Sequence, residues 1–278
     1  MMTMNDIMDD IMSRQTISPE EGDYYIYDIL YCGKCNTPKM KKITVFGRKM
    51  YPYCLCRCEA ERREKEEEER KRQEAMEEIR RMRRTAFQDT VMYDWTFAND
   101  DKQNPQISKV CQNYVDHFST MKEKGRGLLL YGSVGTGKTY MSACIANELI
   151  DRGHPCLVTS FSRLVNTIQG MYDGKQDYID GLSRFDLLVI DDLASERDTE
   201  YMGEVIQNIV DARYRSGLPM IVTTNLTKDD LIHPEDLRKQ RIYSRLFEMC
   251  VPVEVKGKDR RKMILINEHE DMKELLGL

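Results

Sequence analysis

The sequence predicts an α/β protein in which a parallel sheet is covered by helices on both faces. A small cysteine-rich module and a charged helical linker precede this sheet. Apolar β-type runs alternate with helical patterns over residues 85–278, as expected of such a fold. Five of the nine cysteines fall within residues 32–58. Residues 59–84 contain ten acids and ten bases without Gly or Pro, and residues 1–31 form an acidic N-terminal segment.

The distribution of apolar residues argues against a membrane protein and against a secreted one. The longest apolar runs, such as residues 187–190, fall far short of the roughly 20 residues that span a bilayer. The first residues, MMTMNDIMDD, carry acids where a signal peptide carries bases, and no apolar stretch follows. We therefore expect a cytoplasmic protein without a membrane partner. The net charge of −5 argues against a polycation that coats nucleic acid, although a local basic face stays open.

The acidic segment, residues 1–31, has two interpretations. It holds seven carboxylates against the single base Arg14, which is typical of a partly ordered tail. The alternative is a short docking helix, because apolar residues recur there at helical spacing, namely Met1, Met4, Ile7, Met8 and Ile11.

The clustered cysteines of residues 32–58 predict a zinc ribbon. They form two groups separated by 18 residues, Cys32 and Cys35 and then Cys54, Cys56 and Cys58. Zinc takes four thiolates in a tetrahedral structural site, and such a site replaces the apolar core that so few residues cannot build. One of the last three cysteines is therefore spare. Between the groups, ITVFGRKMYPY predicts a hairpin that turns at residues 46–47.

Residues 59–84 predict a solvated helix that separates the ribbon from the larger domain. Opposite charges three and four positions apart stabilise a helix, and the apolar residues are too few for a coiled-coil seam. The helix ends in a basic group made of Arg80, Arg81, Arg83 and Arg84. We expect a solvated face there, with contact to phosphates as the alternative.

The apolar pattern of the larger domain, residues 85–278, predicts alternating helices and strands. An amphipathic helix comes first, marked by Ile107, Val110, Cys111, Tyr114, Phe118 and Met121. Strands are predicted at Gly127–Tyr131, Cys156–Ser160, 185–191, Met220–Thr224 and near 251–255. Helices are predicted at 138–150, through Leu164 and Ile168, and at 200–215. A segment of this length is sufficient for one full core.

A nucleotide-binding loop is predicted between the first of these strands and the helix that follows it. The pattern G-x-x-x-x-G-K-[ST] is matched by Gly132, Ser133, Val134, Gly135, Thr136, Gly137, Lys138 and Thr139, and we add the next helical residue, Tyr140. Glycines let backbone N–H groups turn toward phosphate oxygens, and the helix N-terminus adds its positive end. We expect Lys138 to reach the β- and γ-phosphates of ATP and Thr139 to help hold Mg²⁺.

Two acids and an amide end later strands of the same predicted sheet. Asp191 and Asp192 close the apolar run LLVI, and Asn225 ends the next strand after Thr223 and Thr224. We expect Asp191 to join the Mg²⁺ shell and Asp192 to polarise the attacking water, with a polar strand end as the alternative for Asp192. Asn225 would project beside the γ-phosphate and sense it.

Five segments carry a resemblance to a known family. They are GSVGTGKT, LLVIDDLASER, DARYRSGLPMIVTTNL, RIYSRLFE and KGKDRR. Residues from about 96 to 261 resemble the DnaC/DnaI/IstB group of AAA+ ATPases, above all the DnaC-like proteins of phages and prophages, and the ribbon and linker are also similar to that group. The resemblance implies a P-loop AAA+ sheet. Only 53 residues follow Asn225, too few for a full helical lid.

This resemblance implies an ATP-dependent loader that delivers a replicative, DnaB-type helicase onto single-stranded DNA during replication initiation. It also implies self-association into an AAA+ oligomer and docking of the helicase on the N-terminal part. By the family pattern Asn225 looks like sensor 1, and Arg261 looks like sensor 2. Arg245 matches the arginine finger, with Arg241 as its neighbour on one helical face.

Two other functions remain open from the sequence. One is an IstB-type transposase helper, which remodels DNA with ATP; the ribbon and linker argue against it, because helpers of that type usually lack them. The other is a zinc-ribbon nucleic-acid adaptor whose ATPase is a slow switch. The sequence names neither the helicase nor the size of the ring, and it leaves the finger role open between Arg241 and Arg245.

Overall fold

The fold comprises two units, Met1–Glu77 and Glu78–Leu278, each with its own strands and buried residues. A computed structural model describes residues 18–45, 47–193, 199–234, 236–260, 262, 272–273 and 275–276 of the chain. The expected docking helix within residues 1–11 and the candidate sensor Arg261 lie outside the described residues.

The first unit contains two short antiparallel hairpins. β1 (Tyr24–Ile26) pairs with β2 (Ile29–Tyr31), and β3 (Ile43–Val45) pairs with β4 (Arg48–Met50). The β3–β4 hairpin confirms the predicted one. The β1–β2 hairpin was not predicted, because its two-residue loop contains no Gly or Asn that would signal a turn. Tyr27 supplies the turn instead, in a left-handed conformation with φ of 49°.

Few side chains of the first unit are buried. Among its described residues the buried ones are Leu30, Cys32, Lys39 and Cys56. The ammonium of Lys39 donates hydrogen bonds to Asp23 at 2.7 Å and to Glu20 at 3.0 Å, which compensates its burial. The described residues of this unit thus provide too few buried apolar side chains to form a core by themselves.

A helix of 30 residues, α1 (Arg57–Ala86), begins in the first unit and ends in the second. It confirms the helix predicted for residues 59–84 and extends it by two residues at each end. Exposed ion pairs three and four positions apart lie along it, such as Arg62 Nη2 with Glu59 Oε1 at 2.7 Å. In its last turn Ala86 is buried in the second unit, where Arg83 also pairs with Asp151.

The second unit is built on a five-stranded parallel sheet, as predicted. The strands are β5 (Gly127–Tyr131), β6 (Cys156–Ser160), β7 (Leu187–Leu193), β8 (Met220–Thr224) and β9 (Cys250–Glu254), in the order β6-β7-β8-β5-β9. β9 begins one residue before the predicted strand. β7 begins and ends two residues later than predicted, because it continues past Asp191 through an irregularity in its pairing with β8.

Helices cover both faces of this sheet. They are α2 (Pro105–Asp116), α3 (Phe118–Glu123), α4 (Lys138–Asp151), α5 (Phe161–Gln169), α6 (Lys175–Gly181), α7 (Glu200–Ser216), α8 (Lys228–Ile232) and α9 (Leu237–Met249). The single helix predicted over residues 107–121 is two helices, separated at His117. In the described part of the chain, no helix is long and apolar enough to cross a membrane.

The apolar core lies on both sides of the sheet because neighbouring residues of a strand point to opposite faces. Leu129 of β5 packs in one cluster, with residues of α5, α7 and α9. Leu128 and Leu130 pack in the other, with residues of α2 and α4. This core fixes the carboxyl ends of β5, β7 and β8, where the predicted nucleotide site lies.

A buried guanidinium closes the opposite edge of the sheet. The side chain of Arg213 donates to the carbonyl oxygens of Phe185 at 2.9 Å, Asp186 at 3.0 Å and Pro219 at 2.7 Å. Burial lowers the pKa of Arg213 to about 10. The cation therefore ties α7 to the segments that lead into β7 and β8.

Candidate functional site

The loop after β5 has backbone conformations that require glycine. Gly132, Gly135 and Gly137 have φ values of 137°, 76° and 92°. A Cβ on Gly132 would lie 2.6 Å from the carbonyl oxygen of Val255, and one on Gly135 would lie 1.9 Å from Asp259 Oδ1. The loop therefore packs so closely against the segment that follows β9 that a side chain at Gly132 or Gly135 would collide with it.

Lys138, the first residue of α4, points back onto the carbonyl oxygens of this loop. Its Nζ donates to the carbonyl oxygens of Gly132 and Ser133 and to Asn225 Oδ1, each at 2.8 Å. The residue is only 6% exposed. Its ammonium thus occupies the place from which a P-loop lysine meets phosphate oxygens, and the loop and β8 both fix it there.

Asp191 joins two hydroxyl groups at the end of β7. Thr139 Oγ1 donates to its Oδ1 at 2.8 Å, and Thr223 Oγ1 donates to the same oxygen at 2.6 Å. Burial raises the pKa of Asp191, and the two hydroxyl donors only partly offset that effect. A buried carboxylate beside a hydroxyl presents the hard oxygen donors that Mg²⁺ prefers.

Asp192 is turned out of the strand toward Asn225. It has φ of 61°, a left-handed conformation that is costly for a residue with a Cβ. Its backbone N–H donates to Thr223 Oγ1 at 2.9 Å, and its Oδ1 accepts from Asn225 Nδ2 at 2.8 Å. Asn225 therefore links Lys138 on one side to Asp192 on the other.

A cavity of about 390 Å³ opens onto these groups. It is lined by Trp95, Asn99, Asp101, Val134, Gly135, Thr136, Gly137, Lys138, Thr139, Tyr140, Asp191, Asp192, Thr223, Asn225 and Arg260. The structure thus brings together most of the predicted nucleotide residues. Gly132 and Ser133 contribute through their carbonyl oxygens.

Several cavity residues were missed by the sequence analysis. Trp95 lies 5.6 Å from the Tyr140 ring, and the Tyr140 hydroxyl donates to the carbonyl oxygen of Thr96 at 2.9 Å. These rings form an aromatic wall of the cavity. The signal was slight: Trp95 is the one tryptophan in the sequence, and nothing local links it to the loop.

Arg260 also lines the cavity, although the sequence pattern pointed to its neighbour Arg261 instead. Its backbone N–H donates to the carbonyl oxygen of Gly135 at 3.0 Å, and its Nη1 lies 3.0 Å from Asp101 Oδ1. The guanidinium carbon lies 3.3 Å from where a Cβ of Gly137 would stand. Arg260 therefore contacts the loop and lines the cavity.

The two finger candidates lie elsewhere on the second unit. Arg245, on α9, pairs through Nε with Asp211 Oδ1 at 3.0 Å and stacks on Tyr214 at 4.3 Å. Arg241, one turn earlier, is exposed. Neither lines the cavity of its own chain.

The first unit holds a second candidate site, made of four cysteines. The Sγ atoms of Cys32, Cys35, Cys56 and Cys58 all lie within 4.8 Å of one another. Cys54 is outside this set, and its thiol donates to the carbonyl oxygen of Pro38 at 3.5 Å. Of the three cysteines between which the sequence left the choice open, Cys54 is therefore the one the cluster leaves out.

The geometry of this cluster fits a tetrahedral zinc ion. Zinc–sulfur bonds of about 2.3 Å imply sulfur–sulfur edges of about 3.8 Å. Cys58 Sγ lies 3.6 Å from Cys32 Sγ and 3.5 Å from Cys56 Sγ. The Thr37 hydroxyl lowers the pKa of Cys35 to about 5, whereas the neighbouring sulfur atoms raise the pKa of Cys58 to about 12. A bound zinc ion would hold all four cysteines as thiolates, including Cys56 and Cys58, whose pKa values are raised without it.

Comparison with known proteins gives a family match and two named relatives. The chain matches the family described as IstB-like ATP binding protein over residues 60–265. It is similar to the replicative helicase loader DnaI of Bacillus subtilis, with 27% identity over 180 residues that cover 60% of this chain and 58% of that protein. It is also similar to the replicative helicase loader DnaC of Escherichia coli, with 32% identity over 129 residues, or 45% of this chain and 51% of that protein.

The similarity extends to a solved structure. A crystal structure of DnaI matches with a TM-score of 0.51 and 28% identity, over 63% of this chain and 95% of that one. The chain spans less than two thirds of the length of the two named relatives. The P-loop AAA+ fold, with its sheet flanked by helices, is thus shared with these proteins.

Proposed function

The chain belongs to the family of IstB-like ATP binding proteins, and we propose that it is an ATP-dependent loader that delivers a DnaB-type replicative helicase onto single-stranded DNA. The observation that carries its dependence on ATP is the network that joins Lys138, Asn225 and Asp192 in one cavity. The similarity to two proteins named replicative helicase loader supports the choice of substrate.

ATP with Mg²⁺ fits the residues of the cavity. The loop lines the cavity of about 390 Å³, and Thr139 and Asp191 offer hydroxyl and carboxylate oxygens side by side there. When bound, Mg²⁺ would offset negative charge on the phosphates. The rings of Trp95 and Tyr140 offer a stacking surface for the base.

The cavity residues divide the work of hydrolysis among them. Lys138 binds the β- and γ-phosphates in place of the carbonyl oxygens it now contacts, and Arg260 adds a second cation from the same chain. Asp192 polarises the attacking water and takes its proton. Since Asn225 accepts from Lys138 and donates to Asp192, a γ-phosphate that draws Lys138 away changes the hydrogen bonding of Asp192.

Arg245 serves a neighbouring copy of the chain as the arginine finger. It is absent from the cavity of its own chain, while its side chain is 41% exposed. A finger of this kind offsets charge that develops on the transferred phosphoryl group. Hydrolysis therefore requires self-association.

The first unit docks the helicase, with zinc holding its fold through Cys32, Cys35, Cys56 and Cys58. The hairpin β1–β2 presents Tyr25 at 57% exposure and Tyr27 at 95% exposure. Residues 18–31 contain four acids and no Lys or Arg, so this surface repels phosphates. A protein partner suits it better than a nucleic acid does.

Capture and transfer of a helicase test the proposal. The full chain is incubated with the replicative helicase of the same source, with ATP and without, and the helicase is then offered a circular single strand of DNA. We expect stable capture and ATP-dependent transfer to the circle. The Lys138→Ala variant should capture the helicase and fail to complete transfer. Absence of capture in every nucleotide state would contradict the loader function.

The family description favours one second candidate, a transposase helper of the IstB type. A helper would bind double-stranded DNA with ATP and associate with a transposase rather than with a helicase. Parallel capture with the helicase and with a transposase encoded nearby distinguishes the two, and the loader function predicts only the first.

A further inference from the structure

The arginine assigned as a finger is held in place by two residues of another helix. Arg245 Nε lies 3.0 Å from Asp211 Oδ1, and its guanidinium carbon lies 4.3 Å from the centre of the Tyr214 ring. Asp211 and Tyr214 are three residues apart on α7, so they share the face that meets α9. A carboxylate and an aromatic ring therefore fix one side chain from two directions.

This arrangement differs from an ordinary surface ion pair. Asp211 is 23% exposed at its side chain, while Arg245 keeps 41% exposure despite both contacts. The contact with Asp211 runs through Nε, at the base of the guanidinium group, and phosphates are bound by the N–H groups of its fork. The side chain is thus held through Nε and the Tyr214 ring, while 41% of it remains exposed.

The direction of α9 carries Arg245 away from its own nucleotide site. The helix begins near Glu200, whose carbonyl oxygen accepts from Arg238 at 3.0 Å, and ends next to Cys250. Cys250 pairs with Gly127, the amino end of β5, whereas the P-loop leaves β5 at its carboxyl end. A phosphate that Arg245 contacts belongs to another copy of the chain.

We propose that Asp211 and Tyr214 are positioning residues that hold Arg245 ready for the γ-phosphate bound by a neighbouring copy. This inference rests on the proposed function, in which Arg245 acts between chains. An unrestrained arginine would lose rotamer freedom each time it met a phosphate, and the two contacts remove that loss in advance. Their effect is therefore exerted only by the chain that donates the finger.

Mixing two inactive variants isolates the donating chain. Lys138→Ala disables the nucleotide site and keeps the finger, whereas Arg245→Ala keeps the site and lacks the finger. Activity in the mixture comes from interfaces where the first chain donates Arg245 to the second. Asp211→Ala is then added to one chain at a time.

We expect Asp211→Ala to lower ATPase activity in the donor chain and to leave it unchanged in the acceptor chain. When Asp211→Ala is combined with Lys138→Ala in the donor chain, the recovered ATPase activity should fall by roughly 10- to 100-fold. Misplacing a catalytic group by about 1 Å costs on the order of 100-fold. Beside Arg245→Ala, in the acceptor, Asp211→Ala should change nothing. In the donor, Tyr214→Phe should preserve activity by keeping the ring, and Tyr214→Leu should lower it.

A matched control separates this effect from general damage to α7. Glu204 is an exposed acid on the same helix, and Glu204→Ala should be silent in both chains. Equal recovery with Asp211→Ala in donor and acceptor would overturn the positioning role while leaving the finger intact. Equal loss in both chains would indicate misfolding and overturn it as well.

Two further outcomes are informative. Higher activity with Asp211→Ala in the donor would mean that Asp211 restrains the finger rather than positions it, contrary to the proposal. A mixture of the two parent variants that stays inactive, from folded and assembled chains, would remove Arg245 as the group that acts between chains. The roles of Asp211 and Tyr214 would then be lost with it.

Discussion

The first and second units differ in what lies at their centres. In the first unit four cysteines lie within 4.8 Å of one another, and among its described residues few apolar side chains are buried. The second has apolar clusters on both faces of a five-stranded sheet. We infer that one unit is held by a metal and the other by packing, so each should fail under a treatment that spares the other.

Removing the metal should give the largest effect. Zinc binding contributes folding free energy on the order of 10 kcal/mol in small thiolate sites, so chelation or Cys35→Ser should unfold the first unit. The second unit should keep its nucleotide affinity. Hydrogen exchange resolved along the chain measures both. Cys54→Ser is the matched control and should retain one zinc per chain; loss of the metal in that variant would contradict the four-cysteine site.

The next largest effect concerns the nucleotide site. Lys138→Ala should weaken ATP binding, because the phosphates lose their principal cation. Asp192→Asn should bind ATP and hydrolyse it about 10²- to 10⁴-fold more slowly, which is typical of losing a general base. Nucleotide titration and phosphate release measure the two steps. Both variants should retain zinc and the folded first unit; normal hydrolysis by Asp192→Asn would reject its role.

Packing of the second unit can be tested at its buried cation. Arg213→Met removes the donors that the guanidinium supplies to buried carbonyl oxygens, and each buried group left unsatisfied costs about 1–3 kcal/mol. We expect the free energy of unfolding of the second unit to fall by about 2–4 kcal/mol, with the zinc content unchanged. Denaturant titration measures it. Arg215→Met, at an exposed position of the same helix, should have little effect, and equal losses in the two variants would refute this account.

As the pH falls, the first unit should lose its zinc before the second unit is destabilised. In the second unit, burial raises the pKa of Asp186, but Lys122 at 2.7 Å and His154 at 2.8 Å outweigh it and hold that pKa below its usual value. The ionised Asp186 therefore stabilises the fold above the ordinary carboxyl pKa of about 3.9. This contribution is lost as the pH falls through the lowered pKa. Thiolate protonation should release zinc at higher pH.

The variant Asp186→Asn sharpens this comparison. It should reduce the acid dependence of the second unit below about pH 4 and leave the pH of zinc release unchanged. Unfolding free energy and metal content, followed on one pH series, measure both. Zinc retained at a pH where the second unit has already unfolded would reverse the expected order.

The sequence predicted those features that depend on local pattern. The bounds of β5, β6 and β8 and the loop from Gly132 to Thr139 follow from apolar runs and glycine spacing. Contacts between distant segments were not accessible in this way. Trp95, Asp101 and Arg260 line one cavity although up to 165 positions separate them. The local pattern of apolar residues does not indicate that such distant segments lie together.

Two local features also escaped prediction, each for a backbone reason. The β1–β2 hairpin turns at Tyr27, a residue that rarely adopts positive φ, so the usual turn signals were missing. The extension of β7 to Leu193 depends on the positive φ of Asp192, which the residue type does not announce. The set of four cysteines likewise depends on how the ribbon folds, because the spacing of the last three allows more than one set of ligands.

The order of strands in the sheet has a consequence for synthesis on the ribosome. β5, which carries the P-loop, has β8 and β9 as its two neighbours, and both come much later in the chain. At about 5–20 residues per second, the nascent β5 waits several seconds for a partner. During that interval its apolar edge is open to other nascent chains. Slow translation before Met220 should therefore favour aggregation, and chaperones that shield extended apolar segments should raise the yield.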